Sequence, residues 1–246
     1  MKRRRTSPGQ KAANAGTIES LATDVLRRTG ELAVACGLSP TELTKLAIDA
    51  FAALPEPTGA IDTADLRCLR HAPHALTHWH TEPSYVDEAG KPRRLPLRGK
   101  VSMTSLAAAV SPSMSGQELV DFLERYGAIE RAGTGWIPLT QSVILSGNRA
   151  HQSARGLLLI RGVLRNKAHN AAVGRSPEGW FERLAENAHI PKSQRAILYR
   201  NIDGVGAQLL THIDLEMKRR EEPSLPPDEK THVAVGVYLY EDDLDL

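Results

Sequence analysis

One segment, residues 97–140, constrains the fold of this 246-residue chain more than any other. It contains a short apolar helix pattern that stops at Ser111-Pro112 and a second pattern that begins near Ser115 and ends at Gly127. Glycine at this position is typical of a helix C-terminal cap. The second pattern places four apolar or aromatic side chains on one face: Leu119, Phe122, Leu123 and Tyr126.

A hairpin pattern follows this pair of helices. Residues 128–131 and 136–139 have the composition of short strands, and they flank the sequence Ala-Gly-Thr-Gly, which suits a tight tip. A helix, a turn, a second helix and a two-stranded hairpin in this order predict a winged helix-turn-helix.

Three further helices are predicted before this segment. The first runs from Thr17 to Cys36, and the second begins with the capping box Ser39-Pro40-Thr41-Glu42. A short third helix over residues 63–69 would present Asp65, Arg67 and Arg70 to solvent. The second helix is expected to turn six apolar side chains inward: Leu43, Leu46, Ala47, Ala50, Phe51 and Leu54. The three helices predict a helix-turn-helix domain, although helical hairpins of this kind also serve as packing or dimerisation units.

Residues 71–98 lack a helix pattern, in part because Pro73 is expected to interrupt any helix there. Two extended stretches around Asp87-Glu88-Ala89-Gly90 predict a hairpin, which the prolines restrict to a sheet edge. The return stretch and the residues after it carry a dense positive charge: Lys91, Arg93, Arg94, Arg98 and Lys100.

The C-terminal third predicts an α+β unit. Helices are expected over residues 157–167, from Ser176 to Ala185, and from Pro191 to Met217. Residues 232–240 have the β-branched and aromatic composition of a strand, for which residues 141–175 could supply a partner.

These elements predict a mainly α protein with small β elements. The predicted domains are a basic flexible arm (1–16), a helical helix-turn-helix domain (17–72), a hairpin plus winged helix (73–145), an α+β dimerisation domain (146–240) and an acidic tail (241–246).

The charge is distributed unevenly along the chain. The net charge is +2, but residues 221–246 carry −7, which leaves +9 on residues 1–220. No acidic residue lies between Glu130 and Glu178, a stretch that holds several arginines. Such a basic segment suits a polyanion, although each of these arginines would also fit a solvated helix face.

Composition and targeting signals indicate a reduced cytoplasmic protein. The two cysteines, Cys36 and Cys68, match no disulfide framework. No apolar segment follows the basic start to make an export signal, and no apolar run is long enough to span a membrane.

Several motifs resemble those of an uncharacterised, mainly proteobacterial family. The resemblance rests on Trp79-His80-Thr81-Glu82-Pro83-x-Tyr85, on the Gly90-Lys91-Pro92-Arg93 stretch, on residues 123–130 and on Val235-Gly236-Val237-Tyr238. It spans roughly residues 17–246 and implies a winged-helix-like architecture in a bacterial cytoplasmic protein, without implying an activity. The chain departs from the family in the third N-terminal helix, where relatives carry more basic residues than Arg67 and Arg70.

The residues with chemical potential do not combine into an enzyme site. Cys68, His71, His74, His78 and His80 form a cluster, but Pro73 and the lack of a Cys-x-x-Cys pair argue against zinc. Trp79, His80, Pro83 and Tyr85 are instead expected to be structural. The chain has no Gly-x-Ser-x-Gly elbow and no P-loop, and Gly204-Val205-Gly206 lacks the strand that precedes a dinucleotide site. We therefore predict no enzyme activity, no metal and no cofactor.

The function predicted from the sequence is that of a DNA-binding transcriptional regulator. It is expected to contact DNA mainly through the basic hairpin, the wing and the arm. Glu118, Asp121 and Glu124 make the second helix of the wing segment acidic, which opposes its approach to phosphates. The alternative is therefore a non-enzymatic adaptor that binds protein partners, and a homodimer is expected in either case. The candidate DNA-binding residues are Arg67, Arg70, Arg93, Arg94, Arg98, Lys100, Gln117, Arg125 and Arg131.

Overall fold

The computed structural model describes residues 17–55, 60–145, 147–174, 176–187, 189–222 and 225–241. It is mainly helical with one small three-stranded sheet, which confirms the predicted fold class at this level. Two units can be distinguished, one ending at Trp180 and one starting at Phe181. The predicted basic arm and residues 242–246 of the predicted tail lie outside the described residues. Within the described ranges, no helix is both long and apolar enough to cross a membrane.

The first unit contains the sheet and six of the described helices. They are α1 (Ile18–Ala35), α2 (Pro40–Ala52), α3 (Thr63–Thr81), β1 (Leu95–Pro96), α4 (Met103–Val110), α5 (Gly116–Arg125), β2 (Ile129–Ala132), β3 (Gly135–Pro138) and α6 (Arg149–Val173). The sheet is antiparallel with the order β1–β3–β2, so that Trp136 of β3 lies between Leu95 and Arg131.

The elements predicted over residues 97–140 are confirmed. Ser102 and Ser115 close capping boxes at the starts of α4 and α5, and Gly127 follows α5 with a positive φ of 61°. The inner faces of these helices pack around α3 and the sheet in one core. Its largest fully buried side chains include Trp79, Leu76, Leu95, Leu106, Leu119, Phe122 and Leu123.

Helix α3 is much longer than predicted, because it continues through Pro73 to Thr81. Proline at this position has no N–H to donate to the carbonyl of Leu69, four residues earlier. The structure supplies another donor, since Nη1 of Arg155 in α6 lies 2.6 Å from that carbonyl oxygen. The prediction that Pro73 interrupts the helix was wrong because the compensating donor, Arg155, lies far along the sequence, 86 residues after Leu69.

Helices α1 and α2 begin and end close to the predicted residues, but they pack differently. Helix α1 lies along α6, and Leu21 enters the common core. Helix α2 has no buried residue, and its apolar side chains Leu46 and Phe51 are exposed to 55% and 49%. The expectation that α2 turns these side chains inward was wrong. Helix α2 packs mainly against α1, and this contact is too small to cover its apolar face.

The chain after α6 folds back rather than forming the helix predicted from Ser176. Gly174 ends α6 with a φ of 60°, and residues 176–179 form a turn. The side chain of Asn170 then accepts from the backbone N–H of Trp180 and donates to its carbonyl. The Trp180 ring stacks on His169 at 4.1 Å. These contacts use the backbone groups of Trp180 that a helix would need.

The second unit is built on one long helix, α7 (Arg195–Lys218), which confirms the helix predicted from Pro191. Short 3-10 turns cover Lys192–Gln194 and Pro227–Glu229. The prediction of a strand over residues 232–240 was wrong, because these residues have no strand geometry and Val233 is 58% exposed. The segment expected to pair with it is occupied by α6, which has no free backbone groups for a sheet edge.

Candidate functional site

The segment before β1 is fixed by two buried aromatic side chains. Nε1 of Trp79, a fully buried residue of α3, donates to the carbonyl of Arg93 at 2.8 Å. The backbone N–H of Arg93 donates to the carbonyl of Tyr85, also at 2.8 Å, and the Tyr85 hydroxyl reaches Oγ of Ser105 in α4. The motif residues Trp79 and Tyr85 therefore hold the backbone of a basic segment in place, as their predicted structural role requires.

The hairpin predicted around Asp87–Gly90 is a tight turn with little sheet. Oδ1 of Asp87 accepts from the backbone N–H groups of Ala89 and Lys91, and Val86 and Pro92 form an isolated bridge. Of the other motif residues, His80 contacts the carbonyl of Leu76 through Nδ1, whereas Pro83 is exposed.

The basic residues meet at the three-stranded sheet. A Cβ at Gly133 would lie 3.2 Å from the Arg94 guanidinium, and one at Gly135 would lie 3.1 Å from Cγ of Arg94. The Arg94 side chain therefore extends over the tip of the β2–β3 hairpin. A Cβ at Gly135 would also lie 2.5 Å from the carbonyl oxygen of Leu95, so the backbone of β1 requires glycine there. On the neighbouring strand, the Arg131 guanidinium lies 5.8 Å from the Trp136 ring centre.

We call Arg93, Arg94, Arg98, Lys100 and Arg131 the basic flank. All five side chains belong to exposed residues on or next to β1 and β2. Within the described ranges, none of them forms an ion pair with a carboxylate. The basic flank is thus a solvent-facing positive surface whose charge is not neutralised by the fold.

The remaining candidate residues are engaged inside the first unit. Arg67 pairs with Glu118 at 2.7 Å, and Arg125 pairs with Asp65 at 2.9 Å. Gln117 donates to Asp121 at 2.7 Å. The expectation that Asp65, Arg67 and Arg70 face solvent was wrong, because α3 is a central helix and these residues contact, or lie partly buried among, its neighbours.

The acidic residues of α5 are held in a similar way. The pKa of Glu118 lies below its ordinary value. Burial alone would raise this pKa, but hydrogen bonds from Ser115 and from the Arg67 guanidinium outweigh the effect of burial. Glu124 accepts from Nε1 of Trp136 at 2.7 Å. The carboxylates that make α5 acidic therefore serve in part to cap the helix and to tie it to α3 and β3.

A polar network that sequence reasoning missed joins α3, α5 and α6. Nε2 of buried His151 lies 2.9 Å from Oδ2 of Asp65, and its Nδ1 contacts the Tyr126 hydroxyl. An Asp–His–hydroxyl chain can activate a nucleophile. Here, however, burial raises the pKa of Tyr126, which disfavours the phenolate. No local pattern marks this network, since Asp65 and His151 lie 86 residues apart.

The predicted cysteine and histidine cluster is divided by α3. Cys68 is buried against Sδ of Met114 and the carbonyl of Glu118, and burial raises the pKa of its thiol to about 12. His74 and His78 share another face, where their rings meet edge to face with centres 4.4 Å apart. His74 and His78 lie on helical turns because α3 continues past Pro73.

Comparisons of this chain with protein-family models, with curated proteins and with solved structures found no match. The family resemblance drawn from the Trp79–Tyr85 motif therefore stays a prediction.

Proposed function

We propose that this protein binds DNA as a winged-helix transcriptional regulator. The order α3–β1–α4–α5–β2–β3 and the sheet order β1–β3–β2 support this proposal, because a winged helix would have the same order, with α5 as its recognition helix. In this proposal α3 is the first helix of the winged module, so that residues 17–72 do not form a separate helix-turn-helix. The protein would act in the bacterial cytoplasm, as a homodimer and without a catalysed reaction.

The observation that carries this proposal is the basic flank. Its five cations belong to exposed residues and have no carboxylate partner among the described residues, so their charge is available to phosphates. Arg94 extends this charge to the hairpin tip, where a wing contacts the DNA backbone. Release of counterions from DNA would supply most of the affinity.

Base recognition would be weak in this arrangement. Gln117 is held by Asp121, Arg125 is held by Asp65, and the exposed carboxylates of Asp121 and Glu124 remain on α5. Phosphate contacts fix position but do not discriminate between sequences. We therefore expect affinity for many duplexes, with modest preference among them.

The test is the triple variant Arg93→Ala, Arg94→Ala and Arg98→Ala, measured by fluorescence anisotropy with labelled duplexes over a range of salt concentrations. Loss of three phosphate contacts should weaken binding on every duplex and reduce the slope of log K against log salt by about 3. The matched control replaces Arg27, Arg219 and Arg220 by Ala. These arginines are also exposed but are paired with carboxylates, and we expect a much smaller effect.

Absence of wild-type DNA binding at about 50 mM salt would contradict the proposal, as would equal effects of the two triple variants. The first result would favour the alternative, a non-enzymatic adaptor. Its support is the exposed apolar surface of α2 and of the residues just after it, since Ile48 in the helix and Leu54 beyond its end are exposed to 62% and 66%. Surfaces of this kind are typical of protein contacts.

A further inference from the structure

A second cationic group lies away from the basic flank, where α1, α3 and α6 meet. We call it the arginine cluster, and it consists of Arg28 in α1, Arg70 in α3, and Arg161 and Arg165 in α6. Among the described residues, Asp24 is the carboxylate whose charge acts on Arg161, and it already pairs with Arg28 at 3.1 Å. The cluster therefore has a clear excess of positive charge.

The packing of three helices brings these residues together. His151–Asp65 and Arg155–Leu69 are contacts one turn apart on both helices, so α3 and α6 lie side by side and run in the same direction. Helix α1 also packs along α6, and Leu21 of α1 is buried. The cluster is thus mounted on rigid helices and not on a mobile loop.

Two features show that the charge of the cluster is not balanced by the described residues. Nε of Arg70 is buried and has no hydrogen-bond acceptor among the described residues. The pKa of Arg161 is lowered, first by burial and then by the neighbouring charge of Arg70. A partly buried guanidinium without an anion is unfavourable, because it has lost water without gaining a partner.

We propose that the arginine cluster is a binding site for a small phosphate-type dianion, either inorganic phosphate or the phosphate group of a small phosphorylated molecule. Guanidinium groups match phosphate oxygens with paired N–H donors, and several of them can surround one dianion. A compact group of arginines at the junction of three helices suits a small ligand better than an extended duplex backbone. The site shares no residue with the basic flank and does not depend on DNA binding.

The test compares thermal unfolding of the full-length wild type and Arg161→Gln with inorganic phosphate, against sodium chloride of equal ionic strength. Phosphate at about one hundred times its Kd should raise the wild-type Tm by roughly 5 °C or more. Arg161→Gln should lose this rise. Without phosphate, its Tm should equal or exceed that of the wild type, because the variant no longer buries an unpaired charge.

Two further variants sharpen the result. Arg161→Lys keeps the charge without the paired donors, and we expect it to bind phosphate at least tenfold more weakly. Arg98→Gln removes a charge from the basic flank and should keep the full phosphate effect. A phosphate effect that equals that of chloride, or that persists in Arg161→Gln, would overturn the proposal.

The same variants separate this site from the proposed DNA surface. Arg161→Gln should leave DNA affinity unchanged, whereas the Arg93, Arg94 and Arg98 triple variant should leave the phosphate effect unchanged. If Arg161→Gln instead weakens DNA binding as strongly as the triple variant, the cluster contacts the nucleic-acid backbone and the small-ligand proposal is wrong.

Discussion

The contact between Arg155 and the carbonyl of Leu69 explains how a proline is accommodated inside the central helix. Pro73 removes one helical hydrogen bond, and a carbonyl left without a donor in a packed region costs about 1–3 kcal/mol. Arg155 is itself partly buried, and this burial lowers the pKa of its guanidinium. Its contact with Leu69 both satisfies that carbonyl and joins α6 to α3.

This account predicts a coupling between two distant substitutions. Arg155→Ala should destabilise the first unit by about 1–3 kcal/mol. In a Pro73→Ala background the restored N–H supplies the missing bond, so the same substitution should cost about 1 kcal/mol less. Tryptophan fluorescence during urea unfolding is a suitable measure, because all three tryptophans lie in the first unit. The packing lost with the arginine side chain cancels in the double-mutant cycle, so equal costs in both backgrounds would refute the contact.

Residue roles that depend on distant partners could not be predicted from the sequence. Arg67 and Arg125 have the sequence character of exposed helix residues, yet Glu118 and Asp65 engage them across 51 and 60 residues. The basic flank could be predicted because most of its residues lie close together between Arg93 and Lys100 and need no partner in the fold. The arginine cluster was missed for the opposite reason, since its members come from three separate helices.

At the scale of elements, the contact of α4 with α5 depends on one missing side chain. A Cβ at Gly116 would lie 2.6 Å from the backbone nitrogen of Thr104, a distance that real Cβ atoms essentially never show. Gly116 is also buried at the start of α5. The spacing of the two helices that precede the hairpin is therefore set by a glycine.

We expect Gly116→Ala to destabilise the first unit by about 1–3 kcal/mol, because backbone must move to admit the methyl group. Gly162→Ala is the matched control, since Gly162 also lies in a helix but has no atom within 4 Å of its Cβ position. That control should stabilise α6 by about 0.5–1 kcal/mol through helix propensity. Urea midpoints followed by tryptophan fluorescence compare the two, and a neutral Gly116→Ala would disprove the close approach.

Elements were predictable where local signals define them. Capping boxes, Gly127 and the glycine-rich tip mark the bounds of α4, α5 and the hairpin within the sequence itself. The strand over residues 232–240 was not predictable, because strand formation requires a partner edge that local composition does not reveal. The length of α3 depended on Arg155, which no local rule connects to Pro73.

At the scale of the whole molecule, the chain divides in a segment without regular structure. Residues 176–187 and 189–191 form no helix or strand, and Trp180 is the last residue of the first unit. Phe181 and Leu184 are exposed to 78% and 68%. Large apolar side chains on an extended, accessible backbone are preferred chymotrypsin sites, whereas helical backbone resists the protease.

Limited proteolysis of the full chain tests this division. Chymotrypsin should cut first next to Trp180, Phe181 or Leu184, or at Tyr238 and Tyr240 near the C-terminus, and mass spectrometry should then show a persistent fragment that ends close to residue 180. Phe51 is an internal control, since it is 49% exposed but lies within α2 and should be cut more slowly. Early cleavage between residues 63 and 138 would contradict the packed core of the first unit. A fragment that retains phosphate binding would also show that the arginine cluster needs only the first unit, to which α1, α3 and α6 belong.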